Sequence, residues 1–419
     1  MKVFKFGGAS VKDAEAVRNV FRILSGFPDV ELWVVFSAMG KTTNALEQVA
    51  NAWIKGEPSA AALLKSVEDY HLNVAHDLGV KDEAVLVWIN QIADVISRTP
   101  PTKYDEGYDR IVSYGELIST SLISSFLQKN NYPHSLLDAR KLIITDHTYR
   151  NGVVNWQETE NRITSIHKEN LLLKSNKVSI TQGFIGSTLD GKPVTLGREG
   201  SDFSAAIFAW ALYAGEMIIW KDVPGVLNAD PRYFNDTVKI DRMSYRDAIE
   251  LAYYGASVIH PKTIQPLQSN SIPLYVKSFY HPEEPGTLIY TFDEEQSDQI
   301  PSFIFKPDQV LISISPRDFS FIAEGNLHSI FGLLATLDIH LNMMQHSAIS
   351  FSIVMDDNPD KVNRLFTLLG NDYRVKYNNG LQLVTIRYYD QQTIDKVVGQ
   401  RRILLEQKSR TTVQLVVSD

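Results

Sequence analysis

The sequence predicts an α/β fold followed by a ferredoxin-like module, and three observations carry that prediction. The first is the stretch 195–232, where Gly197-Arg198-Glu199-Gly200-Ser201-Asp202 precedes an apolar helix-like run over 203–213 and then a short strand ending in Trp220-Lys221-Asp222. Strand, glycine loop, helix and strand in succession is the usual grammar of a phosphate site in an α/β protein. The second is that the earlier strands at 2–6 and 31–36 also end in small residues, Gly7-Gly8 and Ser37-Ala38, before a helix. The third is the βαββαβ alternation that begins at Gln309. A helix N-terminus turns free N–H groups and a positive dipole end toward its occupant, so an anion is the natural ligand. Surface turns use the same residues for backbone reasons, so the loop at 197–202 alone fits either a phosphate site or a plain turn.

Length and composition narrow the classes. A chain of 419 residues is too long for one ordinary core and predicts two or three domains. With 44% hydrophobic and 21% charged residues it reads as an ordinary soluble protein. A net charge of -8 argues against a nucleic-acid partner bound through phosphates. The absence of cysteine excludes disulfides and thiolate metal sites and fits a reducing compartment. Strand-like residues from the first position onward predict no signal peptide, and no apolar run approaches the ~20 residues that span a bilayer. A cytoplasmic protein with no membrane partner is expected.

In chain order, 2–6 is a strand that places Lys5 and the Gly7-Gly8 amides at its carboxyl end, where open α/β sheets bind ligands; a lysine on a strand edge before a tight turn is the plainer reading. Ser10 opens a helix to about residue 24. Residues 57–97 read as an α-hairpin, within which His71 and His76, five apart, do not share a helical face and so are not a metal pair. A helix over 109–128 sets Glu116 among Ile111, Val112, Leu117 and Ile118, near the core-facing stripe, where a carboxylate needs a cationic partner or a polar cavity. Strands at 135–137 and 177–185 flank a helix at 158–173. Helix 244–254 is followed by a loop through Ser257, Val258 and His260, the histidine being expected in a hydrogen-bonded structural role. Strands at 273–279 and 286–290 lead to the acidic stretch 293–299, a linker. Beyond it, strands and helices at 309–314, 324–338, 339–345, 348–355, 359–369 and 373–377 form the first module; 381–388, 391–398, 402–407 and 411–417 form a shortened βαββ, expected to complete itself against a neighbouring chain.

Taken together, eight motifs in order resemble the aspartate kinases of the amino-acid kinase family: Lys5-Phe-Gly-Gly8 with Ser10, Ser37-Ala38 with Thr43-Asn44, Gly115-Glu116-Leu117, Gln182 to Gly186, Leu196 to Asp202, Trp220 to Gly225, Ala229 to Arg232, and Gly255-Ala256 with His260-Pro261. The resemblance implies an αβα sandwich on a mostly parallel sheet over 1–292, one regulatory ACT module at 300–378 and a truncated second at 379–419. It implies transfer of the ATP γ-phosphate, with Mg2+, to the side-chain carboxylate of L-aspartate, the entry to lysine, threonine and methionine synthesis. That carboxylate, with a pKa of about 3.9, is already ionised at pH 7, so the lack of a general base counts in favour. By the same resemblance Lys5 and Gly8 take the phosphoryl oxygens and Asp202 orients the lysine. Arg198 grips the α-carboxylate, Glu116 pairs with the α-ammonium, and Thr43 and Ser201 add hydroxyl contacts. Gly7, Ser10, Lys221, Asp222, Asp230, Arg232, Ser257 and Val258 hold the nucleotide. No resident metal ligands are expected, nor a fused homoserine dehydrogenase. A homodimer through the ACT modules is expected, with an amino-acid effector as a possible partner there.

Three departures from the family pattern bear on function. Glu199 stands where a neutral residue is usual, and a carboxylate beside phosphates is expected to weaken nucleotide binding. Leu227 and Ser257 replace a tyrosine and a lysine, thinning the nucleotide contacts. Asn342 and Ser347-Ala348 replace acidic effector-site residues, leaving lysine, threonine or no effector. The competing readings are a glutamate-type or other kinase of the same superfamily, and an inactive amino-acid sensor.

Overall fold

Apolar β-formers buried on both faces build the centre of the sheet: Leu32–Phe36 and Val178–Gln182 are buried at every position, which requires helices on both sides. The computed structural model describes residues 1–172, 177–234, 236–256, 259–292, 298–318 and 320–418. These form two compact units. The first comprises the described residues of 1–226, 239–249 and 258–298, and the second those of 227–238, 250–257 and 299–419.

In the first unit an eight-stranded sheet runs in the order Ser135–Leu136, Val178–Gln182, Leu32–Phe36, Lys2–Phe6, Glu216–Lys221, Leu274–Ser278, Thr287–Tyr290, Arg242–Ser244. Every pairing is parallel except that of Leu274–Ser278 with Thr287–Tyr290. Helix Gly200–Ala211 lies across Lys2–Phe6 and Leu32–Phe36, with Trp156–Leu172 and Pro261–Ser269 against it. The opposite face is packed by Ala14–Ser25, Thr42–Ile54 and the expected hairpin, Ala60–Leu78 with Glu83–Ile96. This is the αβα sandwich.

Local differences from the sequence reading have local causes. The first helix begins at Ala14 rather than Ser10, because Asp13 caps it by accepting from Ala16 N at 2.8 Å; Gly8–Val11 forms a 3-10 turn instead. The helix expected over 109–128 is two helices, Tyr104–Val112 and Tyr114–Lys129, broken at Ser113. The strand expected over 177–185 ends at Gln182. Phe184, at φ +66°, then redirects the chain into a separate three-stranded sheet with Ile144–Thr145 and Pro193–Thr195. Apart from Asp298 and Gln299, the linker expected at 293–299 lies outside the described residues, as does the last residue of the helix expected at 158–173.

The second unit departs most from expectation. Its six-stranded sheet runs Met343–Ser347, Ser350–Asp356, Ser302–Pro316, Tyr373–Arg387, Thr412–Ser418, Arg402–Lys408. The two fifteen-residue strands at its centre pair along their length, with register shifts around Gln309. One half of this ladder, with helices Glu324–Thr336 and Pro359–Leu369, makes the first module. The other half, Ser302 to Lys306 against Arg387 to Leu383, supplies the strand that the second module lacked in sequence. That strand comes from the same chain, so no neighbour is needed to complete the sheet. The face where a second helix was missing is covered by the segment 227–238: Ala229 joins the module's core, and the Phe234 ring stacks on Phe303 at 4.7 Å. A linear cut at residue 292 therefore does not describe the packing. Lys306-Pro307-Asp308 reads as a break, and only the sheet pairing carries the strand through it.

Candidate active site

Two glycine-bearing loops leave adjacent strand ends and interlock. A Cβ on Gly8 would sit 2.9 Å from the carbonyl oxygens of both Ala38 and Gly40, and Gly40 N donates to Gly8 O at 3.0 Å, so no larger residue fits. Above them opens a cavity of about 420 Å³ that gathers seven of the predicted site residues: Lys5, Gly8, Thr43, Glu116, Arg198, Ser201 and Asp202.

Lys5 projects from the last turn of the first strand, and its Nζ lies 2.6 Å from Asp202 Oδ1, in the first turn of Gly200–Ala211. Both side chains are almost wholly buried. Burial pushes the Asp202 carboxyl upward, but Lys5 and Lys221 together outweigh it and hold the group below the usual carboxylate range. Asp202 thus stands as an anion in the first turn of the helix, where the dipole also favours negative charge.

Glu116 is the opposite case. It sits in the first turn of Tyr114–Lys129, fully buried, with Oε1 receiving the Ala38 N–H at 3.4 Å. Oε2 is buried with no hydrogen-bond partner among the described residues. Burial pushes its pKa up to about 8, and the backbone N–H groups of Glu116 and Ala38 only partly oppose this. A carboxylate so placed needs a cation from outside the protein.

Glu199 corrects an expectation. It occupies a left-handed position, φ +53°, and its Oε2 accepts from His260 N at 3.0 Å. The carboxylate is tied to backbone, and ties the glycine loop to the start of helix Pro261–Ser269. His260 in turn caps that helix, Nδ1 accepting from Lys262 N at 3.2 Å, the structural role expected of it. Glu199→Gly is therefore expected not to tighten ATP binding. A fall in the ATP KM of about threefold or more in a steady-state assay would restore the repulsion reading.

Other predicted residues lie elsewhere. Gly7 adjoins Lys5, and the buried Ser10 hydroxyl donates to Trp220 O at 3.3 Å. Lys221 ends strand Glu216–Lys221, with Asp222 in the turn after it. Asp230 and Arg232 belong to the second unit, with Leu227, and pair with each other at 2.6 Å. Ser257 and Val258 lie outside the described residues. Asn342 is enclosed by Lys306 Nζ at 2.9 Å and by Gln309 and Asp356, each at 2.8 Å. His71 is buried, bonded to Thr42 and to Val67 O, and His76 is exposed. The sequence reading missed Tyr108, Arg150 and Phe184, which also line the cavity. Arg150 sits in an irregular loop, where no periodicity marks a side chain as inward. Among the described residues no three His, Asp or Glu side chains converge as a metal site, and no helix is long and apolar enough to cross a membrane.

Comparison with known proteins identifies the family. The model of the amino acid kinase family matches residues 1–278. Lysine-sensitive aspartokinase 3 of Escherichia coli is 31% identical over 362 residues, covering 84% of this chain and 78% of that protein. The chloroplastic aspartokinase 2 of Arabidopsis thaliana is 31% identical over 84% of this chain and 66% of its own length. The chain thus spans slightly under two thirds of that plant relative, and 39% of the bifunctional aspartokinase/homoserine dehydrogenase 1 of Zea mays. The crystal structure of E. coli aspartokinase III with aspartate and ADP, described as the R-state, matches with a TM-score of 0.81 at 26% identity, over 100% of this chain and 96% of that one. The T-state complex with lysine and aspartate matches with a TM-score of 0.82. On sequence and fold, the chain belongs to the amino acid kinase family, among its aspartokinases.

Proposed function

We propose that this protein is an aspartate kinase, transferring the γ-phosphoryl group of ATP to the side-chain carboxylate of L-aspartate to give 4-phospho-L-aspartate. The observation that carries the reading is Glu116. Glu116, whose Oε2 is buried with no hydrogen-bond partner among the described residues, lines the same cavity as the Lys5–Asp202 pair and Arg198, so one small pocket offers a site for an ammonium and sites for two anions. An α-amino acid with a second carboxylate satisfies all three. The acceptor is already a nucleophile at neutral pH, so the protein's task is alignment and charge neutralisation. Arg198 holds the α-carboxylate through its planar fork, and Glu116 holds the ammonium. Lys5, oriented by Asp202, takes the charge developing on the transferred group beside the Gly8 amide. Lys221, Asp222, Asp230, Arg232, Ser257 and Val258 are assigned to the nucleotide by resemblance. Mg2+ would enter with the nucleotide phosphates and spread their charge. The E. coli structure bound to aspartate and ADP supports the substrate pair.

Trapping with hydroxylamine tests the reading. MgATP and L-aspartate are expected to yield aspartyl hydroxamate. Product with glutamate alone would select a glutamate-type kinase, and none with any amino acid would leave a sensor.

A homodimer through the C-terminal modules belongs to the same proposal. The strand Met343–Ser347 is paired on one side only, and Met344, Ile349, Phe321 and Phe331 are exposed in the module that carries it. Sedimentation at micromolar concentration is expected to give a dimer, and a lone monomer peak would contradict it. An amino-acid effector at these modules and a cytoplasmic setting are further parts of the reading, supported by the lysine-bound E. coli structure and the cysteine-free composition.

A further inference from the structure

The acceptor proposed above carries two carboxylates, and only one of them reacts. The cavity is lined by three cations, Lys5, Arg150 and Arg198. Lys5 is committed to Asp202 at 2.6 Å. Arg150 is not so committed: its nearest acids are Asp105 at 3.6 Å and Glu47 at 3.9 Å, well beyond the 2.7–2.9 Å of a charge-assisted hydrogen bond. Its guanidinium carbon lies 4.3 Å from the centroid of the Tyr108 ring, with Tyr104 at 5.8 Å. The ring covers one flat face of the group, and the side chain lines the cavity.

The backbone beneath it is fixed with unusual care. Asp109 is fully buried, and it accepts from Arg150 N at 2.8 Å, Thr195 N at 2.9 Å and Thr195 Oγ1 at 2.7 Å. One carboxylate thus binds the loop carrying Arg150 to the strand that leads into Gly197-Arg198. Arg150 itself stands at φ +62°, a conformation that side-chain-bearing residues rarely adopt and that costs about 1 kcal/mol or more. Glycine or asparagine would fill that turn at less cost, yet an arginine is held there, on an aromatic ring, facing the pocket.

We infer that Arg150 is a second arginine for the acceptor amino acid, sharing the recognition of its non-reacting carboxylate with Arg198 and so setting specificity for the doubly acidic substrate. The inference rests on the aspartate kinase reading. It makes Asp109 a positioning residue, acting through the backbone at Arg150 and Thr195.

The test compares two acceptors, L-aspartate and its α-amide, in which the side-chain carboxylate is free but the α-carboxylate is not. The full-length wild type and Arg150→Ala are assayed by hydroxamate formation. Loss of one charge-assisted contact is expected to lower kcat/KM for aspartate by about tenfold to a hundredfold, mostly through KM. The ATP KM should stay within about twofold. On the α-amide the same variant should lose little, so the preference for aspartate over the α-amide shrinks. Arg150→Lys should fall between, since it keeps charge but loses the fork. Equal losses on both acceptors, or an unchanged aspartate KM, would overturn the inference while leaving the kinase reading intact. A wild type that makes no aspartyl hydroxamate would sink both. The hydrogen bond that the Arg150 backbone N–H donates to Asp109 survives either substitution, so melting temperature serves as a control for folding.

Discussion

Lys5→Met is expected to lower kcat with aspartate by about a thousandfold while moving the aspartate KM only a few-fold, as for loss of a group that acts on charge in the transition state. The geometry behind this is the 2.6 Å contact with Asp202 in a site nearly closed to water, where one positive charge acts with little screening. The substitution also strands Asp202. Removing one partner of a buried pair costs about 3–5 kcal/mol, because the remaining charge has nowhere to go. Stability and catalysis are separable through the double variant Lys5→Met with Asp202→Asn, which removes both charges. It should regain most of the lost thermal stability and none of the activity. If Lys5→Met retained a tenth of the wild-type kcat, the lysine would not be the group that receives the phosphoryl charge.

Glu116→Gln carries the second large effect, on binding rather than turnover. Above pH 8 the aspartate KM is expected to rise about a hundredfold, the magnitude of a lost ion pair in a desolvated pocket, with ATP little affected. The pH dependence follows from the raised pKa. Below about 8 the free protein holds Glu116 mainly protonated, and a neutral carboxyl cannot pair with an ammonium. For the wild type, kcat/KM for aspartate should therefore climb close to tenfold per pH unit toward about 8 and then level. The Gln variant should lack that limb. Stability runs the other way. A folded pKa above the unfolded value of about 4.3 means the favourable contribution is complete at low pH and disappears as pH rises through about 8. Substrate-free Glu116→Gln should thus melt higher than the wild type at pH 8.5, with the gap closing toward pH 5. A wild-type profile that is flat from pH 6 to 8.5 would show that Glu116 is ionised throughout that range and would sink this account.

Several features of this site were legible as text. Lys5 with Gly7-Gly8, and Arg198 with Ser201-Asp202, are local signals, each a strand end or helix start whose geometry follows from a few neighbouring residues. The parallel sheet was legible for the same reason, since its strands are continuous apolar runs separated by helices of ordinary periodicity. Glu199 was visible as an anomaly but not as a brace. Its partner is the His260 amide, and a backbone N–H leaves no mark in a sequence.

Long-range closure accounts for the rest. Glu116 stands on a helix whose sequence fits a half-exposed acid, and it is burial against Ala38 that leaves one oxygen unpartnered and lifts its pKa to about 8. Arg150 is one arginine in a turn until Asp109 and Tyr108 fix it over the cavity. The shortened last module looked incomplete because Ser302 to Lys306 and the segment around Phe234 are distant in the chain from the strands they cover. Residue order specifies which side chains stand at the end of one strand or the start of one helix. Desolvation, and the sharing of a strand between modules, exist only once separate segments have met, and those two effects bury the Glu116 carboxyl and complete the C-terminal sheet.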